Sequence, residues 1–350
     1  MEVIALNLNL GRVESIAIEG IEKRIYPGAV VLIGTKDEML FLKAFGKESP
    51  EKYAKAVRVD TVYDLASLTK VVAVLPAFML LMSEGKLSLG DPVYVHLKEF
   101  TNRKQITLFH LITHSSGMPP YSTAWKKSKG EELLRNLLHI KPEFPPGRSF
   151  RYSCINFIIL KTVIERISGI PFAAFVKERI FLPLGLESTG FLPNIKAFHV
   201  APTCKREGEF LRGRPDDELA YYLGGVGGNA GCFSSAMDLY RLINGLEAGQ
   251  LFPERIYKLF THEVVEFKGV KTHLGWRVPD FFGSSGDIID RVAYGHTGFT
   301  GTSIWVEPKS GLRVIFLSNR TRLKRRSTIP MMQSIRRRLH NVIFQASTSG

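Results

Sequence analysis

The sequence predicts an α+β fold: an antiparallel sheet made from both chain ends, flanked by helices, with a mostly helical region inserted between them. Three observations predict it. Hairpin-like runs occur near each end, the long middle carries helical apolar spacing, and no internal repeat breaks the layout. The composition agrees, because 45% apolar residues and 23% charged ones across 350 positions exclude a disordered or collagen-like chain.

Taken in chain order, Val13, Ile16, Ala17, Ile21 and Ile25 recur at helical spacing until Tyr26-Pro27-Gly28 ends the pattern. Strand-like runs at 29–33 and 39–45 flank a Thr35-Lys36-Asp37-Glu38 turn, which predicts a hairpin. Helical spacing then dominates, with helices expected at 71–83, 108–113, 131–139, 155–167, 171–181 and 236–246. Proline-rich turns separate them, such as Pro145-Pro146-Gly147 and Leu182-Pro183-Leu184-Gly185. A second hairpin is expected where 302–306 and 312–317 flank Pro308-Lys309-Ser310-Gly311, followed by a last helix at about 329–344. The expected division is a sheet unit of residues 1–79 with 221–350, and a helical insertion at 80–220.

The net charge is +14, and residues 301–350 hold ten Lys or Arg against one acid. Arg320, Arg322, Lys324, Arg325, Arg326 and Arg336-Arg337-Arg338 would suit phosphates. No aromatic residue lies between Asn319 and His340 to stack on bases, so the run reads as a solvated loop and a polar helix face, not a nucleic-acid site. The three cysteines, Cys154, Cys204 and Cys232, form no C-x-x-C pair, which excludes a disulfide framework and a structural zinc. The opening residues lack a basic and then apolar leader, and the longest apolar stretch, 71–82, is interrupted by Pro76 and too short to span a bilayer. A cytoplasmic setting without a membrane span is expected.

Ser67-Leu68-Thr69-Lys70 carries the first chemistry. On a helix opening near Ser67, positions i and i+3 share a face, so the Lys70 amine falls beside the Ser67 hydroxyl. Serine is a weak nucleophile until a neighbouring base takes its proton, and a lysine with its pKa lowered by burial would serve. Ser49-x-x-Lys52 and Ser83-x-x-Lys86 have the same spacing, but one lies in a Pro-containing polar loop and the other near a helix end. Spacing alone therefore leaves Ser67 open as a plain helix cap. Tyr152, in the polar link before the 155–167 helix, would move protons if cationic neighbours surround it; packing under a loop is the commoner use. Tyr294-Gly295-His296-Thr297-Gly298-Phe299-Thr300-Gly301 runs into the last hairpin, and its glycines would let backbone approach a ligand closely. His110 and His114 stand four apart, but Leu111 occupies the place of a zincin's Glu, so no metal is expected. A G-x-S-x-G elbow and a phosphate-binding G-x-x-x-x-G-K-[ST] loop are both missing from the sequence.

Ala66-Ser67-Leu68-Thr69-Lys70, Phe150-Arg151-Tyr152-Ser153 and His296-Thr297-Gly298 stand in an order and spacing that resemble the serine β-lactamase and penicillin-binding-protein-like family. The branch of class C β-lactamases, DD-peptidases and related carboxylesterases is the most similar. Leu111-Ile112-Thr113-His114-Ser115-Ser116-Gly117 and the run 224–234 (GGVGGNAGCFS) also resemble that family's connecting text, and the likeness covers about residues 27 to 345. The resemblance implies a β-lactamase/transpeptidase-like fold and Ser67 as an acylated nucleophile activated by Lys70. It implies Tyr152 as the proton shuttle and the Ser67 and Phe299 N–H groups as the oxyanion hole. His296, Thr297, Gly298, Phe299 and Cys154 would contact substrate, and no cofactor is implied.

Two departures bear on specificity. Cys154 stands where the family's second motif commonly ends in Asn, and a thiol holds an acylamide poorly. His296 stands where the third motif commonly has Lys, and an ordinary imidazole would supply only part of that charge near pH 7. The expected function is therefore a carboxylesterase on small ester or amide molecules through a Ser67 acyl-enzyme. The alternatives are a β-lactamase or DD-peptidase, and a catalytically inactive binding protein on the same fold.

Overall fold

The computed structural model describes residues 8–323 and 326–348; the opening residues, and Lys324 and Arg325 of the basic run, lie outside the described residues. Strands β1 (Gly28–Gly34), β2 (Met39–Gly46), β3 (Tyr294–Thr297), β4 (Ser303–Glu307) and β5 (Leu312–Ser318) form one antiparallel sheet in the order β3-β4-β5-β1-β2. The early hairpin thus meets the late one, with Val30 opposite Leu317 and Leu32 opposite Ile315.

Strand β1 is buried along its whole length, and its period of two sorts its side chains into two cores. Ala29, Val31 and Ile33 face helices α1 (Leu10–Glu22) and α6 (Ile329–Phe344), joining Val13, Ile16, Ile335 and Leu339. Val30 and Leu32 face the other way, toward α2 (Ala66–Ser83), α3 (Cys154–Ser168) and α4 (Ala236–Glu247). That second core runs without a break from the sheet to Leu111, Phe157 and Phe172, so the helical region shares it.

Helix α2 is the spine of this core. It opens as a 3₁₀ turn, continues through a π segment at Lys70–Val74, and becomes α-helical at Leu75–Ser83. Pro76 does not interrupt it; it falls just after the π segment, whose widened turn accommodates a residue without an N–H. Among the described residues this one helix is long and apolar enough to cross a membrane, yet 83% of it is buried within the fold. Helix α3 starts one residue earlier than expected and ends at Gly169, whose left-handed φ of 74° stops it. The helix expected at 171–181 divides into Phe172–Val176 and a π segment, Lys177–Phe181. A small antiparallel sheet of Tyr63–Asp64, Cys232–Ser234 and Gly190–Phe191 has no counterpart among the sequence expectations.

The basic run is not the solvated face that was expected. Arg320 and Arg336 are buried, Arg322 pairs with Glu51, and Arg338 pairs with Glu19 at 2.8 Å. The two histidines at i, i+4 spacing are engaged locally. The His110 ring closes the cap at Thr107, and His114 Nδ1 accepts the Ser153 N–H at 3.1 Å.

Candidate active site

Ser67 opens α2 in the first turn after the small sheet, where Ala66 adopts a left-handed φ of 46°. Three residues on, Lys70 is fully buried, and its Nζ donates to Ser67 Oγ at 3.0 Å and to the Asn229 carbonyl at 2.7 Å. The ammonium stands 5.1 Å from the Tyr152 ring centre and 5.7 Å from that of Phe157. Ser49 and Ser83, the other spacing matches, hydrogen-bond Glu51 and the Leu80 carbonyl instead.

The charge of Lys70 differs from the sequence expectation. Burial does push its pKa down, but the Cys154 and Tyr152 side chains beside it and the Asp217 carboxylate outweigh burial, so the net shift is upward. Lys70 is a cation at neutral pH. It is therefore a donor and an electrostatic anchor for Ser67 Oγ, not a resting base.

Tyr152 is held by the residues around it. The Arg151 N–H donates to the His114 carbonyl at 2.8 Å, and Ser153 Oγ donates to the Pro119 carbonyl at 2.7 Å. The Tyr152 ring packs on His114 at 4.5 Å between centres and lies 6.0 Å from His296. Cys154 begins α3, with its thiol 3.9 Å from Lys70 Nζ. Burial raises the thiol's pKa against the pull of Lys70. Cys154 thus faces the lysine and is half-buried next to Tyr152.

The third wall is β3 and the turn after it. Gly298 passes so close to the helix turn that a Cβ there would stand 2.3 Å from the Leu65 carbonyl oxygen, which demands glycine. His296 is 2% exposed, and its Nδ1 meets the Thr297 carbonyl at 3.0 Å. Burial, then Arg277, Lys70 and His114, push its pKa well below the ordinary histidine value. His296 is therefore neutral near pH 7, correcting the expectation of partial charge. Replacing His296 by Gln is expected to leave the shape of the pH–rate profile between pH 6 and 8 unchanged; a limb lost in that variant would show that His296 titrates there.

The positive charge comes from arginines that the motif reading did not place. A cleft of about 220 Å³ is lined by Ser67, Tyr152, His296 and the 297–299 backbone on one side, and by Arg277, Arg320 and Arg336 on the other. Among the described residues no Asp or Glu lines it. Arg277 is exposed, its guanidinium 5.6 Å from the Tyr152 ring centre, and its backbone bridges Gly295 of β3. Arg320 donates to the Phe299 carbonyl and stacks on the Phe299 ring at 4.8 Å. Arg336 donates to the Thr302 carbonyl at 2.7 Å; burial, then Arg320, brings its pKa down to about 9, still a cation at neutral pH. Nothing in the spacing links Arg277 to His296, since only the β-bridge joins them. Asn229 lay within the glycine-rich run, but its backbone role at Lys70 carries no residue-type signal.

Comparison with known proteins places this geometry. A family model described as Beta-lactamase matches residues 13–331. A protein of Escherichia coli (strain K12) named "Putative D-alanyl-D-alanine carboxypeptidase" is 31% identical over 350 residues, covering 84% of this chain and 79% of its own. A protein of the same name from Salmonella typhimurium is 30% identical over 349 residues, with the same coverage. Two solved structures share the fold at low identity. The Beta-Lactamase/D-Alanine Carboxypeptidase from Pseudomonas syringae has a TM-score of 0.76 at 20% identity, covering 96% of this chain and 98% of its own. EstCE1, a hydrolase with promiscuous acyltransferase activity, has a TM-score of 0.71 at 21% identity, covering 95% and 98%.

Proposed function

Because the chain belongs to the beta-lactamase family, we propose that it is a serine hydrolase that forms an acyl-enzyme on Ser67 from esters or amides bearing a carboxylate. The observation that carries this reading is a cleft that joins Ser67 and Tyr152 to three guanidiniums with no acid among its walls. Such a site favours an anion by direct pairing and by its summed field.

The chemistry follows from the donors in place. The Lys70 ammonium holds Ser67 Oγ toward the cleft and offsets the negative charge that grows on it during attack. As Oγ bonds to the carbonyl carbon and the acyl bond breaks, the Oγ proton is relayed through the Tyr152 hydroxyl, which accepts it and hands its own proton to the leaving group in one concerted step. The Ser67 and Phe299 N–H groups would bind the oxyanion. Water then enters, loses a proton through Tyr152, and releases the acid with the proton returned to Oγ.

The expected preference for neutral esters rested partly on weak charge at His296. Arg277, Arg320 and Arg336 supply that charge instead, so a carboxylate has partners here. The name of the Escherichia coli relative points the same way, since a D-alanyl-D-alanine terminus ends in a carboxylate. A simple carboxylesterase is the second reading, favoured by Cys154, which offers no amide for an acylamide side chain.

The test compares phenyl acetate with its 3-carboxy derivative. The carboxylate ester is expected to have the higher kcat/KM. Arg277→Ala is expected to lower that value about tenfold, as for one partly exposed charged contact, and to leave phenyl acetate nearly unchanged. A wild-type preference for the neutral ester, insensitive to Arg277, would establish the carboxylesterase reading instead.

A further inference from the structure

A buried carboxylate lies three residues before the nucleophile, and the motif reading gave it no role. Asp64 is 1% exposed. Its Oδ1 accepts the Ala66 N–H at 2.8 Å, and its Oδ2 accepts the Asp216 N–H at 2.7 Å. The first bond closes a turn around Leu65 and leaves Ala66 at its left-handed φ of 46°, a conformation that costs an alanine energy unless its surroundings enforce it. Ser67 follows directly. The second bond ties the same turn to the 216–217 segment. There Asp217 Oδ1 accepts the Asn229 side-chain N–H at 2.9 Å, and Asn229 supplies the carbonyl that holds Lys70 Nζ.

The backbone of this segment is fixed independently. Thr300 Oγ1 donates to the Asp64 carbonyl at 2.6 Å, and Thr302 Oγ1 donates to the Leu65 carbonyl at 3.1 Å. The Leu65 N–H donates to the Cys232 carbonyl at 3.0 Å. What the Asp64 side chain adds is therefore local: the left-handed step at Ala66 and the link to the segment that positions Lys70.

We infer that Asp64 is a positioning residue for acylation: as a carboxylate it clamps Ala66 in the left-handed turn that aims Ser67, and losing its charge loosens the turn. The inference rests on the acyl-enzyme reading of Ser67. Burial, then the neighbouring Asp216 and Asp217, raise the Asp64 pKa to about 7, against two backbone N–H bonds that lower it. The titratable groups around it are Asp216 and Asp217 on the linked segment and the Cys232 thiol on the paired strand. Cys232 is pushed far up by burial and stays a thiol, while Asp64 is brought into the neutral range. The sign follows directly. Below about pH 7 the carboxyl gains a proton, one oxygen becomes a donor, and one of its two N–H partners loses a good acceptor. The acylation rate should therefore rise with pH through about 7.

The experiment follows the p-nitrophenol burst from p-nitrophenyl acetate across pH 5.5 to 9, with thermal unfolding recorded for each variant. Asp64→Asn keeps the shape and one acceptor but cannot ionise. It is expected to lower the acylation rate at pH 8 about tenfold with KM within about twofold, and to abolish the limb near pH 7. Ala66→Gly removes the conformational penalty, so in the Asp64→Asn background it should recover most of the lost rate. Alone it should flatten the limb, which provides a test that does not depend on Asp64→Asn folding. A wild-type limb in Asp64→Asn or in Ala66→Gly, or a loss that glycine does not recover, overturns the inference. Ser67→Ala, run in parallel, separates the two readings: a persisting burst overturns the acyl-enzyme itself, whereas a lost burst with an unaffected Asp64→Asn overturns only the positioning role.

Discussion

Ser67→Ala is expected to reduce ester hydrolysis by at least ~10⁴-fold, the scale on which covalent catalysis fails when its nucleophile is removed. The expectation comes from the contacts that only this serine has. Ser67 Oγ is the partner of a fully buried ammonium and opens the core helix on the wall of the cleft. Ser49 and Ser83 have the same spacing to a lysine, yet their hydroxyls bond Glu51 and a helix carbonyl. Ser49→Ala and Ser83→Ala should therefore leave kcat within about twofold, the range of a substitution far from the reacting atoms. Steady-state hydrolysis of p-nitrophenyl acetate checks all three. Wild-type turnover by Ser67→Ala would end the proposed mechanism.

Tyr152→Phe is expected to cost at least ~10²-fold in kcat, the usual scale for removing a positioned proton carrier. The ring should stay in place, because its contacts with His114 and His296 need no hydroxyl. The loss is then in proton transfer and not in folding, so kcat should fall with little change in Tm. The physical reason is the charge of Lys70. A lysine held as a cation cannot take the serine proton at rest, which leaves the Tyr152 hydroxyl as the available carrier. Near-normal rates in Tyr152→Phe would mean that Lys70 loses its proton during the reaction despite its surroundings.

Much of the fold was legible because its main elements are long enough to show a period. Strand β1 is seven residues of alternating core faces, and the last helix was expected at about 329–344, where the structure has it. The small sheet escaped because strands of two or three residues carry no period; its existence depends on Asp64 meeting Phe233 across the fold. The division of 171–181 into α and π segments depends on packing that local spacing does not encode.

The site divides along the same line. Ser67, Lys70 and Tyr152 were singled out because each lies in a short run of characteristic neighbours. Their charge states were not legible, because pKa values are set by residues distant in sequence. Lys70 is raised by Cys154, Tyr152 and Asp217, and His296 is lowered by burial with Arg277 and Lys70 beside it. Arg320 and Arg336 read as surface charge and Arg277 lay in no motif, since nothing local shows that two of the three are buried and that all reach the cleft. The specificity reading drawn from His296 and Cys154 did not include these arginines for that reason.

The central claim is that Ser67 carries the acyl group. Intact-mass and peptide-level mass spectrometry after a rapid acid quench from p-nitrophenyl acetate tests it most directly. One acetyl group per chain is expected, mapped to the peptide bearing Ser67, absent from Ser67→Ala and unchanged in Cys154→Ala. An acetyl group on Cys154, or turnover with no acylated protein at any quench time, would contradict it.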